Sequence, residues 1–156
     1  AYLGIITCNV GQPKGSGSKD IEIIRDGKIT RTNLGQYDTF FYRGDPHEEY
    51  IGYVFSEAYS FDKVVFTEGM QFDNGGWFEN GTLRIEALID GSWKKLDVVS
   101  EPEYPNGNKQ SDFGANFETY TFTFEPVKAS GIRLIGSAGG SMHFISVAEL
   151  EVYGSR

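Results

Sequence analysis

The sequence contains few of the residues on which catalytic and redox sites depend, with one cysteine and two histidines among 156 residues. Cys8 can form no internal disulfide, so it says little about the redox compartment. The patterns GxSxG, HExxH and paired CxxC do not occur, and a nucleophilic or zinc-dependent catalytic site is therefore not indicated. No apolar run approaches the length of a membrane span.

Basic residues are also scarce. Lys and Arg number 14 against 22 Asp and Glu, which gives a formal net charge of −8. Nucleic acids and anionic membrane surfaces both attract clustered Lys and Arg, so this balance argues against either of them as a partner. A neutral or a cationic partner remains.

Aromatic residues and glycine are abundant, at 15% and 20 residues, and this pairing is typical of strands and turns. In residues 118–124, ETYTFTF, rings alternate with threonines, which predicts a half-buried strand. Further strands are predicted at 50–55, 63–68, 82–89, 93–99, 131–136 and 144–153, with weaker candidates in YLGIIT and IEIIR near the start of the sequence.

Tight turns are predicted at Asp90-Gly91, Asn80-Gly81, Pro105-Asn106-Gly107 and Gly139-Gly140. The predicted fold class is all-β, with residues 1–156 forming one antiparallel β-sandwich of the jelly-roll kind.

Residues 68–81, EGMQFDNGGWFENG, hold large rings in a segment rich in glycine and polar residues. A sugar site needs an aromatic platform for the C–H face of the sugar and planar polar groups for its hydroxyls. Four residues match this requirement: Gln71, Asp73, Asn74 and Trp77. In the alternative interpretation, Phe72, Trp77 and Phe78 cap one end of the core and the polar residues only make turns.

Other loops mix glycine with rings or basic side chains, and loops at one end of a sandwich are a natural place for binding. They are residues 36–47, residues 100–117 and residues 137–143. Residues 11–19, GQPKGSGSK, are predicted to be a surface loop, because Ser16 replaces the second glycine of the P-loop pattern. Asp26-Gly27 offers carboxylate and carbonyl oxygens of the kind that calcium binds, although an ordinary turn accounts for the same pattern.

The order of the segments resembles the galactose-binding-like, or discoidin (coagulation factor 5/8 type C), superfamily. The resemblance covers residues 21–154 and depends mainly on the DGSW turn, residues 90–93, and on the AELEVYG ending, residues 148–154. Within the superfamily the sequence is most similar to bacterial carbohydrate-binding modules of families 32 and 61. The long loops and the GGWF segment favour family 61, which is linked to β-1,4-galactan and usually accompanies a galactanase.

The resemblance implies a structural calcium ion. Its ligands would come from an early Asp-Gly turn and from the Ala-Glu pair of the last strand, which match Asp26, the carbonyl of Lys28, the carbonyl of Ala148, and Glu149. The pattern also places a threonine before an aromatic residue. Thr39, which precedes Phe40, fits after an insertion, while Thr30 and Thr32 are nearer to the turn but lack the aromatic residue.

The resemblance also implies a sugar site in the loop after KVVFTEG. That loop has Gln71 and Asn74 but no arginine, so Arg43 from the preceding loop is expected to supply the donor fork. We therefore predict a non-catalytic module that binds a galactose-containing polysaccharide, as a secreted bacterial monomer linked to a glycoside hydrolase. The sugar would stack on Trp77, Tyr42 or Tyr37, with hydroxyl partners among Gln71, Asn74, Asp73, Arg43 and His143. The alternatives are a small jelly-roll glycoside hydrolase or lyase and a discoidin-type protein-binding adhesion domain.

Overall fold

The computed structural model describes residues 4–41, 45–105, 114–115 and 117–155, which are almost entirely strand and loop. The strands of this part are β1 (Ile5–Cys8), β2 (Tyr37–Asp38), β3 (Glu48–Glu68), β4 (Met70–Gln71), β5 (Arg84–Ile89), β6 (Ser92–Lys95), β7 (Val99–Glu101), β8 (Gly114–Ala115), β9 (Thr119–Ser137) and β10 (Ser146–Ser155). Two short 3₁₀ helices span Ile21–Arg25 and Asn33–Gly35. None of the described helices is long and apolar enough to cross a membrane.

The strands pair antiparallel in the order β2-β10-β3-β9-β5-β6, with β1 added to β3 and β7 added to β9. β3 and β9 are long and pair with each other along most of their length, with register breaks between Val54 and Tyr59 and between Phe61 and Lys63. Such bulges bend a strand. One half of β3 pairs with β1 and the other half with β10, so the long strands contribute to both layers of an antiparallel β-sandwich. The predicted fold class is confirmed.

The core between the layers is aromatic. Tyr120 and Phe122 of β9 are buried while Thr119 and Thr123 are exposed, which confirms the alternation predicted for ETYTFTF. The ring of Tyr120 packs on Phe66 of β3, with 6.2 Å between ring centroids. Phe66 and Tyr120 are register partners on the neighbouring strands β3 and β9, and burial of such large rings is a main stabilising contribution in a sandwich.

Most of the predicted strands are present, with three kinds of difference. The runs at 50–55 and 63–68 are parts of the single strand β3, and the runs at 118–124 and 131–136 are likewise parts of β9, because bulges bend these strands without ending them. The run predicted at 93–99 is shorter, since β6 ends at Lys95.

The prediction of a strand at IEIIR, residues 21–25, is wrong. This segment is the 3₁₀ helix Ile21–Arg25, begun by Asp20, whose side chain accepts a hydrogen bond from the N–H of Glu22 at 3.0 Å. The turn predicted at residues 105–107 falls partly outside the described residues.

The Asp90-Gly91 hairpin between β5 and β6 is confirmed. Both residues have positive φ, 51° and 82°, as the two-residue turns that match strand twist require. Ile89 pairs with Ser92 directly across the turn.

Candidate functional site

A cleft of about 180 Å³ opens among the loops that surround β2 and β4. Four separate segments form its walls, and the residues are Gly15, Ser16, Asp38, Phe40, Phe72, Asn74 and Phe144. Three are aromatic, one is an amide and one is a carboxylate. The cleft therefore combines ring faces with polar groups of fixed geometry.

Backbone hydrogen bonds fix the 70s loop against the segment around Phe144. The N–H of Gly76 donates to the carbonyl of Phe144 at 3.0 Å, and the N–H of Met142 donates to the carbonyl of Asn74 at 2.9 Å. A side chain on Gly75 would collide with the Phe144 ring, so glycine is required here for the two segments to approach. This approach brings Phe72 and Asn74 to the same cleft as Phe144.

The ring of Phe144 contacts each of the other two rings. Phe40 meets Phe144 edge to face at a centroid separation of 5.2 Å, and Phe72 lies 6.0 Å from Phe144. Phe144 is buried, while Phe40 and Phe72 are partly exposed. Phe40 and Phe72 are therefore the rings that offer surface to a ligand.

Asp38 is only 2% exposed, yet its carboxylate is incompletely paired. Oδ2 accepts a hydrogen bond from the N–H of Gly17 at 2.9 Å, whereas Oδ1 has no hydrogen-bond partner. Burial raises the pKa of this carboxyl, and the bond from Gly17 partly opposes the rise. The cleft thus has an acidic group with unused acceptor capacity in its wall.

Three of the residues predicted to bind sugar are core residues instead. Trp77 is 5% exposed, packs on Gly139 and donates from Nε1 to Glu79 at 2.7 Å. Tyr37 is 1% exposed and its hydroxyl donates to the carbonyl of Val10 at 2.7 Å. Neither ring leaves a face for stacking, so the expectation of a platform at either residue is corrected. Gln71 is fully buried and donates to Glu68 at 3.3 Å, which removes it from the ligand surface.

The other residues predicted to bind sugar differ in their position relative to the cleft. Asn74 lines the cleft and Asp73 is exposed beside it. His143, with a φ of 52°, is partly exposed and lies 6.2 Å from the ring of His47, but it is not among the described residues of the cleft wall. Tyr42 and Arg43 lie outside the described residues.

Several cleft residues were not singled out from the sequence. Phe40 lies in a loop that was predicted as a candidate, and Phe144 follows another such loop, so composition gave a signal for their neighbourhoods. Gly15 and Ser16 lie in a segment predicted only as a surface loop. Asp38 lies in the same candidate loop as Phe40, but nothing in the sequence distinguishes a buried acid from the many exposed ones.

Thr39 is not near the predicted calcium ligands. Its N–H donates to the carbonyl of Ile145 at 2.9 Å, and its hydroxyl bonds to Glu49. Glu49 is buried and its Oε2 lies 2.6 Å from Nε2 of His47. Because Tyr37 pairs with Val147 in the antiparallel register, Thr39 lies farther along β10 from Glu149, and its assignment as a calcium ligand is corrected.

No protein-family model matches the sequence, and no curated protein matches it significantly. Solved structures do match. The family 32 carbohydrate-binding module of Clostridium perfringens NanJ, in complex with galactose, is 19% identical, with a TM-score of 0.63 over 97% of this chain and 93% of that chain. The Clostridium perfringens module CpGH89CBM32-5, in complex with GalNAc-β-1,3-galactose, is 18% identical, with a TM-score of 0.65 over 98% and 96%. Chitosan-binding module 1 of a Paenibacillus sp. IK-5 chitosanase/glucanase is 15% identical, with a TM-score of 0.61 over 97% and 96%.

The chain has the galactose-binding-like fold. The likeness spans nearly all of both chains in each comparison, which confirms the architecture predicted from the sequence. Within this fold, the described residues hold no cluster of three or more His, Cys, Asp or Glu side chains that could bind a metal. A site with fewer carboxylates would need backbone carbonyls as its other ligands, as calcium sites commonly have.

The carboxyl groups of Asp26 and Glu149 lie close together, at the position of the predicted calcium site. Glu149 Oε2 accepts from the N–H of Gly27 at 3.1 Å, while its buried Oε1 has no partner. Burial raises the pKa of Glu149 to about 7, the Gly27 N–H opposes this, and the adjacent Asp26 charge adds to it. Two carboxylates placed together with one oxygen unsatisfied fit a cation.

The two residues whose carbonyls the resemblance implies as ligands lie on the same turn as Asp26 and next to Glu149, respectively. The N–H of Lys28 donates to Asp26 Oδ1 at 2.9 Å, which holds Lys28 on the same turn. A register break between Val147 and Glu149 leaves Ala148 outside the β3–β10 pairing. Asp26, Lys28, Ala148 and Glu149 therefore remain a compatible calcium set.

Proposed function

We propose that this chain is a non-catalytic carbohydrate-binding module that binds a galactose-containing polysaccharide, with β-1,4-galactan as the favoured polymer. The observation that carries this proposal is the cleft, where partly exposed Phe40 and Phe72 lie beside the Asn74 amide and the Asp38 carboxylate. Rings provide a surface for the C–H face of a sugar, and the polar groups provide partners for its hydroxyls.

The similar structures support a sugar as the ligand class. Two of them hold galactose or a galactose-containing disaccharide, and a third is a chitosan-binding module. The cleft of about 180 Å³ is smaller than the roughly 300–1,000 Å³ of pockets for drug-sized ligands. It suits one sugar unit, and we expect a dissociation constant in the micromolar to millimolar range.

The cleft favours binding over hydrolysis. Glycoside hydrolysis normally needs two carboxyl groups facing each other across the scissile bond. Asp38 is the one carboxylate among the described residues that line the cleft. A binding module is therefore the better account of this part of the chain.

We further infer that the module is secreted and works by tethering a glycoside hydrolase such as a galactanase. Similar structures come from bacterial glycoside hydrolases, including a Clostridium perfringens family 31 enzyme and a Streptococcus pneumoniae β-galactosidase. A tethered enzyme experiences a raised effective concentration of its substrate without any new contact.

The proposal is tested by isothermal titration with galactan oligosaccharides, beside mannan and xylan oligosaccharides. Saturable galactan binding is expected, and Phe72→Ala should weaken it by about tenfold, which corresponds to the loss of a contact of about 1.4 kcal/mol. Phe41→Ala is the matched control, because Phe41 is 42% exposed and faces a separate neighbouring pocket. Absence of binding to every glycan would exclude the module function.

We also propose that calcium binds at Asp26, Lys28, Ala148 and Glu149 and stabilises the fold. The unsatisfied Glu149 oxygen and its proximity to Asp26 support this proposal. The ion would neutralise two adjacent carboxylates and join the early turn to β10, so its role would be structural.

A further inference from the structure

The cleft has a consistent electrostatic character. The faces of aromatic rings carry partial negative charge, and three of the wall residues are Phe40, Phe72 and Phe144. Asp38 is the only charged residue among the described wall residues. The only formal charge in the described wall is therefore negative, which favours positive charge inside the cleft.

The carboxylate of Asp38 has no cation in direct contact among the described residues. Lys19 is the basic group whose charge acts on it, but the Lys19 ammonium donates its hydrogen bond to the carbonyl of Gly15. A buried carboxylate that lacks a paired cation and has an unsatisfied oxygen is costly. A positive group bound in the cleft would lower that cost.

The chemistry of the walls distinguishes between kinds of cation. A hard metal ion needs six to eight oxygen ligands, and aromatic walls cannot supply them. An organic ammonium is attracted to ring faces by cation–π interaction and to a carboxylate by charge-assisted hydrogen bonds. The combination of two partly exposed rings, Phe40 and Phe72, with one carboxylate therefore suits an ammonium group.

We propose that the cleft prefers a sugar unit that carries a free amino group, a 2-amino-2-deoxygalactose residue of a polysaccharide, over its neutral counterpart, and that Asp38 sets this preference. The inference depends on the proposed function, because it names the ligand chemistry of the same cleft. The net charge of −8 would also attract a cationic polymer towards the chain.

The test compares galactosamine, galactose and N-acetylgalactosamine by titration of the whole chain at about pH 6, below the roughly 7.7–8.0 of an ordinary α-amino group. Galactosamine should bind about tenfold more tightly than galactose, which is the difference expected for one added charge-assisted contact. N-acetylgalactosamine should show no such gain, because acetylation removes the charge. Raising the pH well above the amine pKa should abolish the advantage of galactosamine.

Asp38→Asn removes the charge with little change of shape. Asp62→Asn is the matched control, because Asp62 is exposed on β3 and is not among the described residues of the cleft wall. Asp38→Asn should bind galactosamine and galactose equally, whereas Asp62→Asn should keep the difference. If Asp38→Asn does not fold, Gly15→Ala replaces it, because a Cβ at Gly15 would displace the Asp38 carboxylate; it should reduce the preference for galactosamine, and a full preference in a folded Gly15→Ala would count against Asp38.

The outcomes separate the two proposals. Equal binding of galactosamine and galactose, with both saturable, overturns the amino-sugar preference and leaves the sugar-binding function intact. Retention of the full preference in Asp38→Asn overturns the role of Asp38. Failure of all three sugars to bind removes the proposed function itself.

Discussion

Gly11 and Gly15 occupy the same loop in different surroundings. A Cβ at Gly15 would collide with Asp38 Oδ1, whereas a Cβ at Gly11 would meet no atom within 4 Å. We expect Gly15→Ala to destabilise the chain by about 1–3 kcal/mol, as overpacking usually does, and to weaken sugar binding by displacing Asp38. Gly11→Ala should change stability by less than about 0.5 kcal/mol. Urea unfolding and titration of both variants check this, and equal behaviour would contradict it.

Trp77 illustrates how burial decides a role at a single position. Its indole is enclosed against Gly139 and hydrogen-bonded to Glu79. Trp77→Ala should therefore lower the free energy of unfolding by about 3–5 kcal/mol, the usual cost of removing a buried aromatic ring. The measurement is denaturant unfolding followed by circular dichroism. A variant of unchanged stability that had lost only sugar binding would restore the platform role.

At the scale of elements, the β5–β6 hairpin depends on backbone conformation at its turn. Gly91 has a φ of 82° and open space around it, so Gly91→Ala tests conformation without steric collision. We expect a loss of about 1–2 kcal/mol, the cost of placing an L-residue in the left-handed region. Ser92→Ala in the same hairpin is the control and should be nearly neutral. The comparison is made by thermal unfolding, and equal melting temperatures would contradict the argument.

Also at the scale of elements, the positions of the strands were easier to predict than their lengths. Alternation of rings and polar residues identifies a strand locally, as in residues 118–124, because side chains point to opposite faces in turn. Whether two runs form one strand depends on bulges that the partner strand tolerates, as at Val54 and Tyr59. The IEIIR segment forms a short 3₁₀ helix instead of pairing with another strand, and the spacing of its apolar residues fits both structures.

At the scale of the whole molecule, calcium should link the early turn to the last strand. At about one hundred times its dissociation constant, calcium would stabilise the folded chain by about 2.7 kcal/mol, which corresponds to about 5–10 °C in Tm. Chelation should reverse the shift.

Glu149→Gln should abolish the calcium-dependent shift in Tm, since it removes one of the two carboxylates. Glu151→Gln is the matched control, with the same charge change two residues along β10. A shift that persists in Glu149→Gln would move the ion elsewhere, and no shift in the unaltered chain would exclude the calcium proposal.

The sequence by itself determined the fold class and the hairpin at Asp90-Gly91, and it singled out as candidates the loops that contain Phe40 and Phe72. These features depend on local periodicity, turn chemistry and composition, which a single sequence displays directly. It also predicted Asn74 as a ligand-facing residue, and the structure places Asn74 in the cleft wall.

Only the tertiary structure decided which rings are buried and which acid lines the cleft. Trp77 and Phe72 lie five residues apart in one glycine-rich loop, yet one packs into the core and the other borders the cleft. Asp38 became distinctive through the loop of Gly15 and Gly17 that covers it. Burial and unsatisfied hydrogen-bonding capacity arise from contacts between distant segments, so no local pattern encodes them.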